Sequence, residues 1–471
     1  MGYLKILFVC LLVLCSFPKT GLCVHIGTLI FHTTGNTLKI NDHDSIPPYQ
    51  KNIKNYELQT LNTRLPVTIT FGNETKTIHL KNNIKKNDYI TLILNSHTVK
   101  LHLYPKEIPN YTITSVPTHS KGILLFSPYV SCQPYPSYAL ATDTKGDLIF
   151  YYKGTNNKTI SDFKKTTLNN GQIRYSFMMQ EEKAPPCHYL GGSLYVFDEN
   201  FNLLNKHRLK RTKTHDDLPV ENHDSRLISD THYFLSSYYN QEAMHPILET
   251  PVNITSLILQ EIKDNQVIFD FNSANYPELW THCTNCDWNE IEWQDSVHFN
   301  SILIDPKDNN LILSFATTSS VVKIDRKTGK KLWQLGGEKD DFNLKTEFLF
   351  VGQHALSFDN NGYLMLYDNQ SRDFFSHKSH RKPLSYSRIL KFKLDEKNNR
   401  VLDVKEQKLN YKSISMGSVY QLKKTNRYFV SYGSNTPVSA QEIDEQGNVY
   451  LTLELEQPYV SYKVRHTQER P

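Results

Sequence analysis

The chain has 471 residues, with 53 Lys and Arg against 48 Asp and Glu, a formal net charge of +5, and it is 39% hydrophobic and 12% aromatic. That composition is globular and excludes a disordered or collagen-like chain. The positive excess is small and scattered, which excludes a nucleic-acid binder; the doublets Lys164-Lys165 and Lys423-Lys424 read as solvated hairpin tips.

Residues 1–23 read MGYLKILFVCLLVLCSFPKTGLC. Lys5 supplies a positive start, Ile6 to Phe17 is an apolar run, and Pro18 and Gly21 break it near a cleavage point. The run is too short to span a bilayer, so residues 1–23 are expected to be a secretory signal peptide. A lipoprotein reading is weaker, because Leu14 and Leu22 precede Cys15 and Cys23 where a small residue belongs. No later run reaches about 18 apolar residues, so no membrane anchor is expected. The chain should be secreted, and periplasmic in a Gram-negative host. Past the signal four cysteines remain, Cys132, Cys187, Cys283 and Cys286. An even number in an exported chain suggests two disulfides. Cys283-Thr-Asn-Cys286 also invites a redox or zinc reading, but no second such pair exists and its flanks are aromatic and irregular. A local staple is preferred there, with Cys132–Cys187 as the other bridge.

Residues 24–113 alternate cleanly in VTITFGNETKTIHLKNN and YITLILNSHTVKLHLYP and are expected to form a small β-sandwich. Pro105, Pro109 and Pro117 mark a stiff connector. From residue 114 a strand–turn–strand signature takes over. Ser301–Ala316 (SILIDPKDNNLILSFA), His354–Asn369 (HALSFDNNGYLMLYDN) and Ser439–Leu455 (SAQEIDEQGNVYLTLEL) each place an Asp- and Asn-rich or Asp-x-x-Gly tip between β-rich runs. These tips recur at about 50 residues, the length of a four-stranded blade, so residues 114–471 hold roughly six. The predicted fold is all-β: a six-bladed β-propeller preceded by a small N-terminal β-sandwich.

Three segments put a histidine at the opening of a blade: Glu221-Asn222-His223-Asp224, Val297-His298-Phe299-Asn300-Ser301 and Gly352-Gln353-His354-Ala355. Any single histidine among 19 is more often structural. Three in equivalent repeat positions could converge on the propeller axis. The cluster His215-Asp216-Asp217 with Glu221, His223 and Asp224 could bind a metal, but a polar loop explains it better. No Walker loop or dinucleotide fingerprint appears, and Lys327-Thr328-Gly329-Lys330 reads as a hairpin tip. No cofactor or metal is expected. Sequons at Asn73, Asn110, Asn157, Asn253 and Asn369 carry meaning only in a host that glycosylates.

The stretch HFNSILIDPKDNNLILSFATTSSVVKIDRKTGKKLWQLGG followed by QHALSFDNNGYLMLYDNQSR resembles the arylsulfate sulfotransferase family. That family's pattern runs H-x-N-S, an Asp-rich turn, S-x-R, K-I-D…G…W-x-L-G-G, Q-H and then F/Y-D-N. The match is close over residues 295–372 and looser upstream through ENHDSRLI and downstream to SYKV. The resemblance implies an exported six-bladed propeller that moves a sulfuryl group between phenols without a nucleotide donor, and a homodimer. It implies His354 as the catalytic nucleophile, His298 and His223 as catalytic support, and Asn300 and Arg372 as substrate contacts. A neutral imidazole is a competent nucleophile near pH 7. One position departs: the family arginine, 18 residues after His298, is Ala316 here. Lys323 or Arg372 could stand in for it. The second function read from the sequence is a secreted, non-catalytic propeller that binds a small anionic or aromatic ligand.

Overall fold

The computed structural model describes residues 25–468 other than 42, 45–48, 81–83, 85–87, 106, 131–134, 155–157, 182–190, 372–382 and 424. The chain is all-β; among the described residues helix is confined to short 3₁₀ turns such as Pro277–Leu279. No helix there is long and apolar enough to cross a membrane.

From residue 122 the chain runs as antiparallel meanders in chain order. The first is Gly122–Tyr129, Tyr138–Asp143 and Leu148–Lys153. Five four-stranded meanders follow, opening with Ile160–Thr167, Arg226–Ser229, Phe299–Ile304, His354–Phe358 and Ser418–Gln421. The first meander gains its fourth strand from the chain terminus. Val460–Gln468 lies antiparallel on Gly122–Tyr129, with Leu124 opposite His466 and Phe126 opposite Val464. The last described residues thus pair with the segment near 120–128 and close the first meander. Neighbouring opening strands also touch, as Ile160–Thr167 does Val460–Gln468 and Phe299–Ile304 does His354–Phe358.

Turn chemistry explains the meanders. Asp143, Asp359 and Asp444 each accept two backbone N–H groups from the two and four residues ahead. The glycine three residues on (Gly146, Gly362, Gly447) takes φ of 91°, 73° and 84°, where a Cβ would strain the turn. Between turns, interior strands such as Leu311–Phe315 and Ser320–Ile324 are buried along their whole length. Both faces are covered, because each meander stacks on the next. Phe234 and Leu257 of one pack in the same cluster as Phe299, Leu313 and Val322 of the next. Ile312 and Trp333 meet Leu356, Leu366 and Leu390 in turn. Fully burying a side chain of this size is worth about 1.5–3 kcal/mol, so the stacking holds the meanders together. Some last strands, such as Leu203–His207 and Arg400–Lys408, are largely exposed, whereas Lys331–Gly336 is mostly buried.

The N-terminal residues form two four-stranded sheets. One contains His25–Phe31, Tyr89–Leu94, His97–His102 and Asn55–Glu57; the other contains His43–Asp44, Leu38–Ile40, Val67–Phe71 and Glu74–Ile78. Phe31, Ile69, Phe71 and Leu92 share one core cluster with Leu124, Phe126 and Leu453 of the meanders. Two strands bind this region into the rest of the chain. Thr60–Asn62 pairs with Leu148–Lys153, and Tyr111–Ser115, which spans the expected boundary at 113/114, pairs with Val449–Leu455.

The reading of Lys164-Lys165 as a solvated tip is overturned at Lys164. It is buried, and its ammonium meets Asp162 at 2.5 Å and Asp224 at 3.0 Å. Lys424, Cys132, Cys187 and Arg372 lie outside the described residues.

Candidate active site

His223 and His298 stand just before the strands that open their meanders, and His354 is the first residue of its own. The meanders therefore deliver all three to one place. The rings of His223 and His298 are 5.1 Å apart, centroid to centroid, and those of His298 and His354 6.4 Å. The backbone is bent to achieve this. His298 has φ of 43° and Ala355 of 49°, and the strand register slips between Phe299 and Ser301 and between His354 and Leu356. A bulge at a strand entry re-aims the side chain, and a non-glycine residue held at positive φ costs on the order of 1–3 kcal/mol.

Each histidine has a different partner. The Nδ1–H of His354 donates to Asn369 Oδ1 at 2.9 Å and to the Gly352 carbonyl at 3.0 Å. Asn369 cannot turn its amide around, because its Nδ2 donates to the Met416 carbonyl (2.9 Å) and to Ser413 Oγ (3.1 Å). The tautomer follows: Nδ1 carries the proton and Nε2 keeps its lone pair. Among the described residues, Nε2 meets only the Met416 N–H, at 3.3 Å. Burial, then the neighbouring His298 and His223, push the His354 pKa down to about 3, so its ring is neutral.

His298 is the opposite case. Burial disfavours its charge, but Asp295 outweighs burial and raises the pKa, with Oδ2 taking Nδ1–H at 2.5 Å and Oδ1 the backbone N–H at 3.1 Å. His223 donates its Nδ1–H to Glu221 Oε2 at 2.5 Å; here burial wins over the carboxylate and the pKa is lowered. Tyr462, on the closing strand, stands between the meanders, 5.2 Å from the His223 ring and 6.5 Å from that of His354. Beside it Lys463 Nζ donates to the His223 carbonyl at 2.9 Å.

The other predicted residues are placed as follows. Asn300 is buried and spends its amide on the Gln353 carbonyl (2.7 Å), tying the His298 strand to the His354 segment. Ala316 is buried, and its N–H donates to the His298 carbonyl at 3.0 Å. Lys323 does not replace the missing arginine, since Asp305, Asp308 and Glu396 hold its ammonium at 2.7, 2.8 and 2.5 Å. Those three acids are close enough to hold a metal ion, but Lys323 already sits among them. The His215 to Asp224 group is dispersed: His215 faces Asp270, Asp216 faces Arg211, and Asp224 faces Lys164. Cys283 and Cys286 form a disulfide, the expected local staple. Its sulfurs lie 3.6 and 3.7 Å from the Asp295 carbonyl, and Thr284 is bonded to the Thr317 carbonyl, so the loop braces the acid beside His298. The sequon at Asn369 is buried and is no glycosylation site.

Sequence reasoning missed Asp295, Asn369 and Tyr462 as site residues. An acid three residues before His298 and another two before His223 were visible signals. Asn369 comes close only through the pairing of His354 with Tyr367, and Tyr462 only through ring closure.

An all-β chain that brings three histidines to one buried centre, one neutral with an available nitrogen and one biased toward its charged form, is equipped for nucleophilic group transfer. A profile of the arylsulfotransferase (ASST) family matches residues 84–465, and the chain belongs to that family. It is a family of sulfotransferase enzymes acting on aryl sulfate donors and phenol acceptors. Among curated proteins none matches the chain. Solved structures similar to it include a protein of unknown function from Bacteroides caccae (10% identity, TM-score 0.43, covering 74% of this chain and 100% of that one). The periplasmic gluconolactonase PpgL of Pseudomonas aeruginosa is another (11%, 0.38, 74% and 99%), as is a luciferin-regenerating enzyme (10%, 0.35, 75% and 99%). TM-scores this low carry no argument about function.

Proposed function

We propose that the chain is an exported six-bladed β-propeller behind a small β-sandwich, and that it moves a sulfuryl group from an aryl sulfate to a phenol through a sulfohistidine at His354. The observation that carries this reading is the fixed tautomer of His354, whose Nε2 lone pair is held ready by Asn369 and the Gly352 carbonyl. In the first half-reaction Nε2 attacks sulfur, the bond from sulfur to the phenolic oxygen breaks, and the leaving phenoxide takes a proton from the His298 imidazolium. In the second, an acceptor phenol returns its proton to His298 as its oxygen attacks sulfur, and the N–S bond breaks. Atoms and protons balance over the cycle, and no nucleotide or metal enters it.

Charge builds on three equatorial oxygens, as in phosphoryl transfer, so N–H donors and cations must surround them. With alanine at 316, the donors near Nε2 are the Met416 N–H and the His298 imidazolium. Secretion through residues 1–23, periplasmic in a Gram-negative host, and a homodimeric state belong to the same proposal.

The test is trapping. Incubation with an aryl sulfate and no acceptor should add one SO₃ mass to the peptide holding Gln353-His354, in an acid-labile, base-stable linkage. His354→Ala should abolish both label and turnover. If the wild type neither labels nor turns over, the enzyme reading fails and a ligand-binding propeller remains.

A further inference from the structure

The strands that follow His223 and His298, and the one that begins at His354, start at the histidines, and Tyr462 near the start of Val460–Gln468 lies with them, so the far end of Val460–Gln468 lies at the opposite mouth of the ring of meanders. Along Val460–Gln468 the distance from Tyr462 to that end is six residues, roughly 20 Å at about 3.3 Å per residue. A cavity of about 290 Å³ opens there between three strand ends. Lys165 and Thr167 line it from one strand, Tyr420 and Gln421 from the end of a second with Lys423 in the turn beyond, and Arg465 and Thr467 from the closing strand; the described lining contains no acidic residue.

The charge beneath the cavity is unbalanced. Four cations, Lys164, Arg226, Lys463 and Arg465, share two buried carboxylates, Asp162 and Asp224. Arg465 gives Nη2 to Asp162 at 2.6 Å, and its buried Nε has no partner among the described residues. Burial, helped by Arg465 and Lys164 and opposed by Asp162 and Asp224, pulls the Lys463 pKa down to about 8. An interior with surplus positive charge is costly unless a counter-charge reaches it. Arg465 carries that surplus to the cavity floor, and Lys165 and Lys423 continue it to the rim.

We propose that this cavity is a second site, separate from the histidines, which binds a small tetrahedral oxyanion: sulfate or phosphate, free or as a monoester. Arg465 supplies the directed N–H contact, while the two lysines act as point charges. The site does not depend on the sulfotransfer reading.

Isothermal titration of the full chain at low, chloride-balanced ionic strength tests it, in separate arms with inorganic sulfate, inorganic phosphate and phenyl sulfate. The tightest arm tells a free anion from an ester. Saturable binding should weaken about tenfold in the Lys165→Ala/Lys423→Ala double variant, a change of about 1.4 kcal/mol. It should vanish in Thr167→Glu, which sets a carboxylate at an exposed strand end without touching the buried ion pairs. It should persist in His354→Ala. The proposal is overturned if the wild type shows no saturable binding, if both cavity variants bind like wild type, or if only His354→Ala loses it.

Discussion

His298 and His354 stand 6.4 Å apart, yet their pKa values are shifted in opposite directions. The difference lies in one partner each. A carboxylate on Nδ1 favours imidazolium, whereas an amide oxygen orients a neutral ring without paying for its charge. Asp295→Asn should therefore lower the His298 pKa and pull down the alkaline limb of phenol release in the first half-reaction. A shift of about one pH unit, with roughly tenfold slower release at pH 8, is expected in single-turnover measurements. An unchanged limb would remove His298 from the acid role. At Ala316 the test is Ala316→Arg, which should raise turnover if the added guanidinium reaches the sulfuryl oxygens. Its melting temperature must be followed as well, since the alanine is fully buried.

Two elements hold this arrangement. The closing strand Val460–Gln468 covers the edge of Gly122–Tyr129 and carries Tyr462 and Lys463 into the centre. Deleting residues 457–471 exposes that edge and empties the centre at once, so the product should be insoluble. A soluble truncation with a normal melting curve would show that closure does not need this strand. The disulfide loop is the second element. In the chain-entropy account a bridge this short is worth about 2 kcal/mol. Cys283→Ser with Cys286→Ser should lower the melting temperature modestly. It should also shift the same alkaline limb as Asp295→Asn, because the bridge packs on the Asp295 backbone.

Across the whole molecule, buried groups make folding sensitive to acid. His354 at about 3 and His207 at about 4 stay neutral when folded and take up protons when unfolded, and the lowered pKa values of His223, His245 and His466 act in the same direction. Unfolding thus binds protons below about pH 6.5, and stability falls as pH drops through that range. His354 alone should cost about 2–3 kcal/mol at pH 4.5. Burial would raise Asp162 and Asp224, but their cations outweigh it and lower both, so their contribution is lost only below about pH 4, in the same direction. His298, raised by Asp295 against its burial, and Asp368, raised by burial, oppose them. Thermal melts from pH 7 to 4 should fall steeply, and His354→Asn should flatten the fall. A flat wild-type profile would contradict the burial of these imidazoles.

Local chemistry was readable in the sequence by itself. Asp-x-x-Gly tips need only their own backbone to form a turn, so Asp143, Asp359 and Asp444 announced their hairpins. The shared position of His223, His298 and His354 within successive repeats announced a common destination. What the sequence does not contain is distance across the ring. Lys164 reads as a surface lysine until Asp224, sixty residues later, is folded beside it. Asn369 is an ordinary sequon until strand pairing sets it against His354, and Tyr462 is a tail residue until the last strand closes on the first. Protonation went the same way: whether an imidazole is neutral or charged depends on burial and on the one group at its far nitrogen, and tertiary structure alone supplies both.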